Sequence, residues 1–249
     1  MSGDKGRVSV VGIGPGAPGY LTDRAFKAIK ESEIVIGYRL YIQQVEHLTA
    51  GKEIISSSMG REVDRCRFAV EKALQGHRVA LVSGGDPGVY GMAGLLLQVA
   101  GEGENEPAIE IIPGITAAGA AAAVLGAPLM HDYASISLSD LLTPWDLIAK
   151  RLEAAAGADF VIVIYNPRSR GREDLLSRAV EIISSRQGSK TAAAIVRGAG
   201  RPQEKRWQTT LGELPGLVEE VDMASLVIIG NSKTYWKNGR MITPRGYRI

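Results

Sequence analysis

Several stretches of this chain concentrate side chains that could do chemistry. In "VSGGDPGVYG", Pro87 bars Asp86 from helical geometry and holds its carboxylate in extended backbone at the end of an apolar run. Gly84 and Gly85 beside it suit unusual backbone angles. Such a carboxylate can meet a polar or cationic ligand; it can equally close an Asx-type turn or cap the next helix. "SISLSDLLTPW" gathers Ser137, Ser139 and Asp140 after another strand-like run. No nearby histidine completes a hydrolase triad and no nucleophile elbow is present, so the stretch offers hydroxyls and a carboxylate, or a plain loop. "YNPRSRGRED" places Arg168, Arg170 and Arg172 after a third run, and "VRGAGRPQEKR" adds Arg197 and Arg201. Arginines at strand ends suit carboxylates or phosphates through paired donors; elsewhere they are solvated charge. "PGITAAGAAAAVLGAP" puts Thr116 and Ala117 at a helix start, before a face of alanine and glycine fit for tight packing.

These groups need a frame. Apolar runs of strand length alternate with helical patterns along most of the 249 residues, and strands are expected at 7–11, 33–37, 53–56, 78–83, 108–112, 134–138, 159–165, 191–196, 205–210 and 225–230. Continuously apolar runs such as "FVIVIYN" suit parallel strands covered on both faces. Leu175, Leu176, Ala179, Ile182 and Ile183 form one helical stripe, and Thr143 is a candidate cap for a helix beginning at Pro144, with Asp146 in its first turn. The expectation is α/β architecture in two domains, residues 1–113 and 114–249. "AAIVRGAG" and "KRWQTTL" are too close for a crossover helix, so they should pair antiparallel and make the second sheet mixed. The first should be mostly parallel.

The opening "RVSVVGIGPGAPGYLT" approaches a dinucleotide-binding fingerprint, which needs its glycines directly before a helix and an acid ending the second strand. Here Thr22 is the natural cap, with Leu21 placed to staple onto Phe26, so the helix starts late. The second strand ends in Gly37-Tyr38-Arg39; Glu31 and Glu33 precede it. Both supporting features of the fingerprint are missing. Yet glycine loops recur after several strands, and loops without side-chain bulk at carboxyl ends line ligand crevices.

Composition narrows the function classes. A formal net charge of +2 gives no bulk attraction to nucleic acid or membrane, and 6% aromatic residues with no aromatic-rich strand signature disfavour an RNA-recognition fold. A Walker-type loop is absent. One cysteine, Cys66, excludes an internal disulfide and reads as a partly buried helical thiol in a reducing compartment. His47, His77 and His131 lack the spacing of zinc ligands, so no structural metal is expected. No signal-peptide core or membrane-length apolar run is evident, which makes the cytoplasm the expected location.

"VGIGPGAPGYLT", "SGGDPGVYG", "PGITAAGAAAAVLGAPL" and "YNPRSRGR", in this order and spacing over roughly residues 7 to 235, resemble the tetrapyrrole methylases. "ISLSDLLTPW", "IYNPRSRGR" and "IIGNSKTY" look most like the branch that methylates precorrin-3B, or cobalt-factor III, at C-17 and contracts the ring in cobalamin biosynthesis. The resemblance implies a homodimer of two α/β domains, with S-adenosylmethionine folded into the cleft between the domains and S-adenosylhomocysteine as product. By motif, Pro15, Gly84, Gly85, Asp86, Val89, Thr116, Ala117, Tyr165, Asn166 and Ala199 would hold that cofactor; many family members carry methionine where Asn166 stands. Arg168, Arg170, Arg172 and Arg197 would meet the carboxylates of the tetrapyrrole, with no nucleic acid or membrane as partner. A sulfonium donor needs in-line alignment more than acid–base strength, which suits a cleft of glycine loops without a metal centre. Ring contraction needs proton movement, for which Asp86, Ser137, Ser139, Asp140 and Tyr38 are candidates. Within that set Asp86 is expected mainly to hold the cofactor and the "SLSD" loop to meet the macrocycle. Methylation at C-11 or C-20, or of diphthamide or ribosomal RNA, uses the same fold; a nicotinamide oxidoreductase and a tetrapyrrole carrier are readings from other classes.

Overall fold

The computed structural model describes residues 6–101, 106–168 and 173–248. The chain divides into two compact units, Met1–Ala117 and Ala118–Ile249. In the first, β1 (Arg7–Gly12), α1 (Asp23–Glu31), β2 (Ile34–Tyr38), α2 (Arg39–Gln44), β3 (Glu53–Ser57), α3 (Glu62–Leu74), β4 (Arg78–Ser83), α4 (Ala93–Ala100) and β5 (Ala108–Ile112) follow in turn. The strands form one sheet in the order β3-β2-β4-β1-β5, and every pairing among them is parallel. Parallel strands must be crossed by helices, and both faces are covered accordingly. Val8, Val10, Ile36 and Leu81 pack with Cys66, Ala69 and Leu96 on one face. Val11, Val35 and Val82 pack with Ala25, Ile29 and Ile42 on the other.

Local signals explain most boundaries. The Thr22 hydroxyl accepts from the Ala25 backbone N–H at 3.1 Å, so α1 begins at Asp23, as the sequence indicates. Leu21 packs against the neighbouring core, whereas Phe26 is exposed. Cys66 is fully rather than partly buried, and burial raises its thiol to about 11.

The second unit holds α5 (Ala117–Leu125), β6 (Gly126–Ala127), β7 (Tyr133–Ser137), α6 (Trp145–Gly157), β8 (Val161–Tyr165), α7 (Leu175–Ser184), β9 (Ala192–Arg197), β10 (Lys205–Thr210), β11 (Ser225–Ile229), β12 (Tyr235–Lys237) and β13 (Arg240–Ile242). Its main sheet runs β10-β9-β11-β8-β7 and is mixed: β7 and β8 are parallel, and the other neighbours are antiparallel. Ile162, Ile164, Ile195 and Val227 meet Ile148, Leu152, Leu176 and Ile183 in its core. The proposed Thr143 cap is not formed: the Pro144 carbonyl accepts from Leu147 and Ile148, which makes Pro144 the capping residue and starts α6 at Trp145. A small sheet β12-β13-β6 was not anticipated from the sequence. Its hairpin turns through Asn238 and Gly239 with φ of +50° and +72°, the pattern of a type I′ turn.

Candidate functional site

In the first unit, strand order determines where a site can form. From β1 the chain leaves to the face carrying α1, and from the adjacent β4 it leaves to the face carrying α4. Loops departing to opposite faces open a crevice at the carboxyl ends of the two strands. Into this edge the structure brings Pro15, Tyr38, Gly84, Gly85, Asp86, Val89, Thr116 and Ala117, which follow or end four neighbouring strands.

The glycines here lock three loops together. Gly14 and Gly85 exchange backbone hydrogen bonds of 3.1 and 2.8 Å, an isolated antiparallel bridge. A Cβ on Gly114 would lie 2.2 Å from the Gly85 carbonyl oxygen and 2.8 Å from the Gly12 carbonyl carbon; one on Gly12 would lie 2.6 Å from the Gly114 nitrogen. Only bare backbone lets these loops approach so closely. Asp86 reinforces the junction: its Oδ1 accepts from the Gly88 N–H at 2.8 Å and its Oδ2 from the Gly114 N–H at 3.0 Å. The Asx-type turn is therefore formed, and the carboxylate also spans to the third loop. It does not cap α4, whose capping residue is Met92.

Gly85 serves differently. Its φ is +66°, and an added Cβ would stand in ordinary contact with the loop after β5, 3.6 Å from the Ala117 nitrogen. Gly84 is covered instead by Tyr41, whose ring would stand 2.7 Å from an added Cβ. Tyr38 packs edge-on against Tyr41 with ring centroids 5.3 Å apart. Tyr41 went unnoticed in the sequence, although "YRLY" places it three residues after Tyr38 at the head of a helix. Pro15 is buried, Thr116 and Ala117 are half-buried, and Val89 is 37% exposed.

In the second unit, β7, β8 and β9 run in the same direction, so Ser137, Tyr165 and Arg197 end on one edge. Asn166 follows β8 with φ of +50°, and its Nδ2 donates to Ser137 Oγ at 2.9 Å. The Ser139 backbone N–H donates to the same oxygen at 3.2 Å. The Tyr165 hydroxyl accepts from the Ala118 N–H at 3.0 Å, satisfying an amide that the first turn of α5 leaves unbonded. Ala199 is buried in the loop after β9, and Asp140 is half-buried.

The arginines are partly engaged by the fold. Arg168 donates to the Val218 carbonyl at 3.0 Å, to Glu219 at 2.9 Å and to Glu173 at 3.2 Å, three of its five N–H groups. Glu219 first, then Glu173, hold its pKa above the ordinary guanidinium value. Arg197 lies over Trp207, 5.3 Å from the ring centroid, and donates to the Glu220 carbonyl at 3.3 Å. Arg170 and Arg172 lie outside the described residues. Among the described residues no group of three or more His, Cys, Asp or Glu could hold a metal ion, and no helix is long and apolar enough to cross a membrane.

The nicotinamide reading loses its footing in this geometry. The first glycine loop is engaged with its neighbours, α1 begins well beyond it, and β2 ends without an acid. Comparison with known proteins points elsewhere. The family model for tetrapyrrole (corrin/porphyrin) methylases matches residues 7–215. A relative from Salmonella typhimurium, described as a probable cobalt-factor III C(17)-methyltransferase, is 51% identical over 97% of this chain and 100% of its own length. The solved structure of the methyltransferase CobJ superposes with a TM-score of 0.91 at 35% identity, covering 96% of this chain and 100% of that one. A uroporphyrin-III C-methyltransferase from Thermus thermophilus, complexed with S-adenosylhomocysteine, superposes with a TM-score of 0.69 at 27% identity, covering 90% and 92%. With its glycine loops, its two sheets and these likenesses on record, the chain belongs to the tetrapyrrole methylase family.

Proposed function

We propose that this protein is an S-adenosylmethionine-dependent C-methyltransferase that methylates a corrin-precursor tetrapyrrole at C-17 and contracts its ring. Cobalt-factor III is the favoured substrate and precorrin-3B its metal-free counterpart. The observation that carries the reading is 51% identity over the whole length of a relative described by that activity. The donor set of the first unit fits the cofactor: backbone groups around the half-buried Gly85, Thr116 and Ala117, and the buried Pro15. Asp86, Val89, Tyr165, Asn166 and Ala199 complete the proposed binding set. S-adenosylmethionine supplies, when bound, a methyl group on a positively charged sulfur.

The protein's part is alignment. Loops locked through Gly12, Gly14, Gly85 and Gly114 hold their geometry without induced ordering, and fixed approach of two reactants accounts for much of the rate that such transfers need. Arg197, at the carboxyl end of β9 and bonded to the Glu220 carbonyl through one terminal nitrogen, is suited to a substrate carboxylate, with Arg168 after β8 as its companion. Asp140 and Ser139 are assigned to proton movement during contraction, with Tyr38 the corresponding candidate in the first unit. A homodimer in the cytoplasm belongs to the same proposal, and sedimentation and cell fractionation test it directly. Calorimetry tests the cofactor assignment: S-adenosylhomocysteine should bind and NADP should not, and absent S-adenosylhomocysteine binding sinks the methylase reading.

A further inference from the structure

The Ser137 hydroxyl is held in an unusual way. Asn166 occupies the left-handed region, φ +50°, which asparagine tolerates better than most side chains. In that conformation its Nδ2 donates to Ser137 Oγ at 2.9 Å, while the Ser139 N–H donates to the same oxygen at 3.2 Å. A serine hydroxyl has two acceptor lone pairs and one proton. Two donors fill both lone pairs, so anything further that meets Ser137 must accept its proton. The amide of Asn166 thereby fixes the polarity of a hydroxyl at the carboxyl edge of β7, on the same edge as Arg197.

Resting on the functional reading above, we propose that Ser137 is a hydrogen-bond donor to a carboxylate oxygen of the tetrapyrrole, and that Asn166 is the positioning residue that keeps it a donor. The same geometry favours donation over a basic role for Ser137, because both acceptor positions of its oxygen are engaged.

Asn166→Asp tests the idea, since aspartate keeps the shape and tolerates the left-handed backbone but cannot donate. The Ser137 proton would then turn to the new carboxylate. Asn166→Asp and Ser137→Ala should each raise KM for cobalt-factor III about tenfold to a hundredfold, the range for a hydrogen bond to a charged group. In Ser137→Ala, S-adenosylhomocysteine affinity and the thermal midpoint should stay at wild-type values, and the double variant should lose no more substrate affinity than either single one. Ser137→Thr, which keeps the hydroxyl, should remain within about threefold of wild type. Wild-type KM in Asn166→Asp, or S-adenosylhomocysteine binding weakened as much as substrate binding in Ser137→Ala, overturns the proposal; so does Ser137→Thr failing as badly as Ser137→Ala. A wild-type protein that binds S-adenosylhomocysteine but methylates neither cobalt-factor III nor precorrin-3B fails earlier, at the functional reading, and takes the carboxylate with it.

Discussion

Gly114→Ala puts the loop junction of the first unit under direct strain. The added methyl would sit 2.2 Å from the Gly85 carbonyl oxygen and within 2.9 Å of two Gly12 backbone atoms. None of these is the end of a flexible side chain that could swing away. Reaching even 3.0 Å requires the Gly85 carbonyl to retreat by about 0.8 Å, yet that oxygen accepts from the Gly14 N–H at 3.1 Å. The Gly114 N–H is itself bound to Asp86 Oδ2 at 3.0 Å. Overpacking of this kind costs about 1–3 kcal/mol, and loss of one internal hydrogen bond adds about 1 kcal/mol. A destabilisation of about 3 kcal/mol corresponds to a fall of roughly 6–12 °C in the thermal midpoint. Calorimetric scanning and titration with S-adenosylhomocysteine together read the result: a lower midpoint and weaker binding, because the same loops are assigned to the cofactor. Gly94→Ala is the matched control. It lies in α4 with nothing within 4 Å of an added Cβ, so it should be neutral or stabilising by up to about 1 kcal/mol. If Gly114→Ala melts and binds like wild type, close approach at Gly114 does not lock the three loops together.

Other expectations follow from single contacts. Asp140→Asn should slow methylation or contraction when followed by rapid-quench product analysis; unchanged rates for both would remove the "SLSD" loop from the chemistry. Thr22→Ala deletes the side-chain cap of α1 and should cost about 1 kcal/mol in urea denaturation, whereas a value near zero would mean solvent replaces the cap at no cost. Burial raises the Cys66 thiol from 9.0 to about 11, so the unfolded chain ionises first as pH rises. Its contribution to stability is complete below pH 9 and is lost between there and about 11. Cys66→Ala should therefore lose less stability than wild type across that alkaline window, and equal losses would show that the thiol does not titrate differently on unfolding.

The sequence carried the frame of this molecule well and its fine positioning poorly. Continuous runs such as "RVALVSG" and "FVIVIYN" announce covered parallel strands, and Thr22 announces the start of α1 because capping is decided within three residues. The turn at Asn238-Gly239 was equally readable, but strands of only three residues escape any periodicity argument. Thr143 misled because a proline after it suggests a first helical position, whereas Pro144 itself receives the first helical hydrogen bonds. The glycines could be seen but not interpreted. What each one must avoid is backbone from a loop far away in the chain, as Gly114 avoids Gly12 and Gly85. The same distance hid the partners of Arg168, one of which lies 51 residues on, and the bond between Ser137 and Asn166, which are 29 residues apart. Register brings those pairs together, and register is not written in any local stretch.

The central claim is a reaction, and product analysis tests it most directly. Purified protein incubated with S-adenosylmethionine and cobalt-factor III, with precorrin-3B in a parallel arm, should yield S-adenosylhomocysteine and a singly methylated, ring-contracted product. Carbon-13 from a labelled donor methyl should then appear at C-17 by NMR. Label at C-11 or C-20, or no transfer from a protein that binds S-adenosylhomocysteine, would contradict the account.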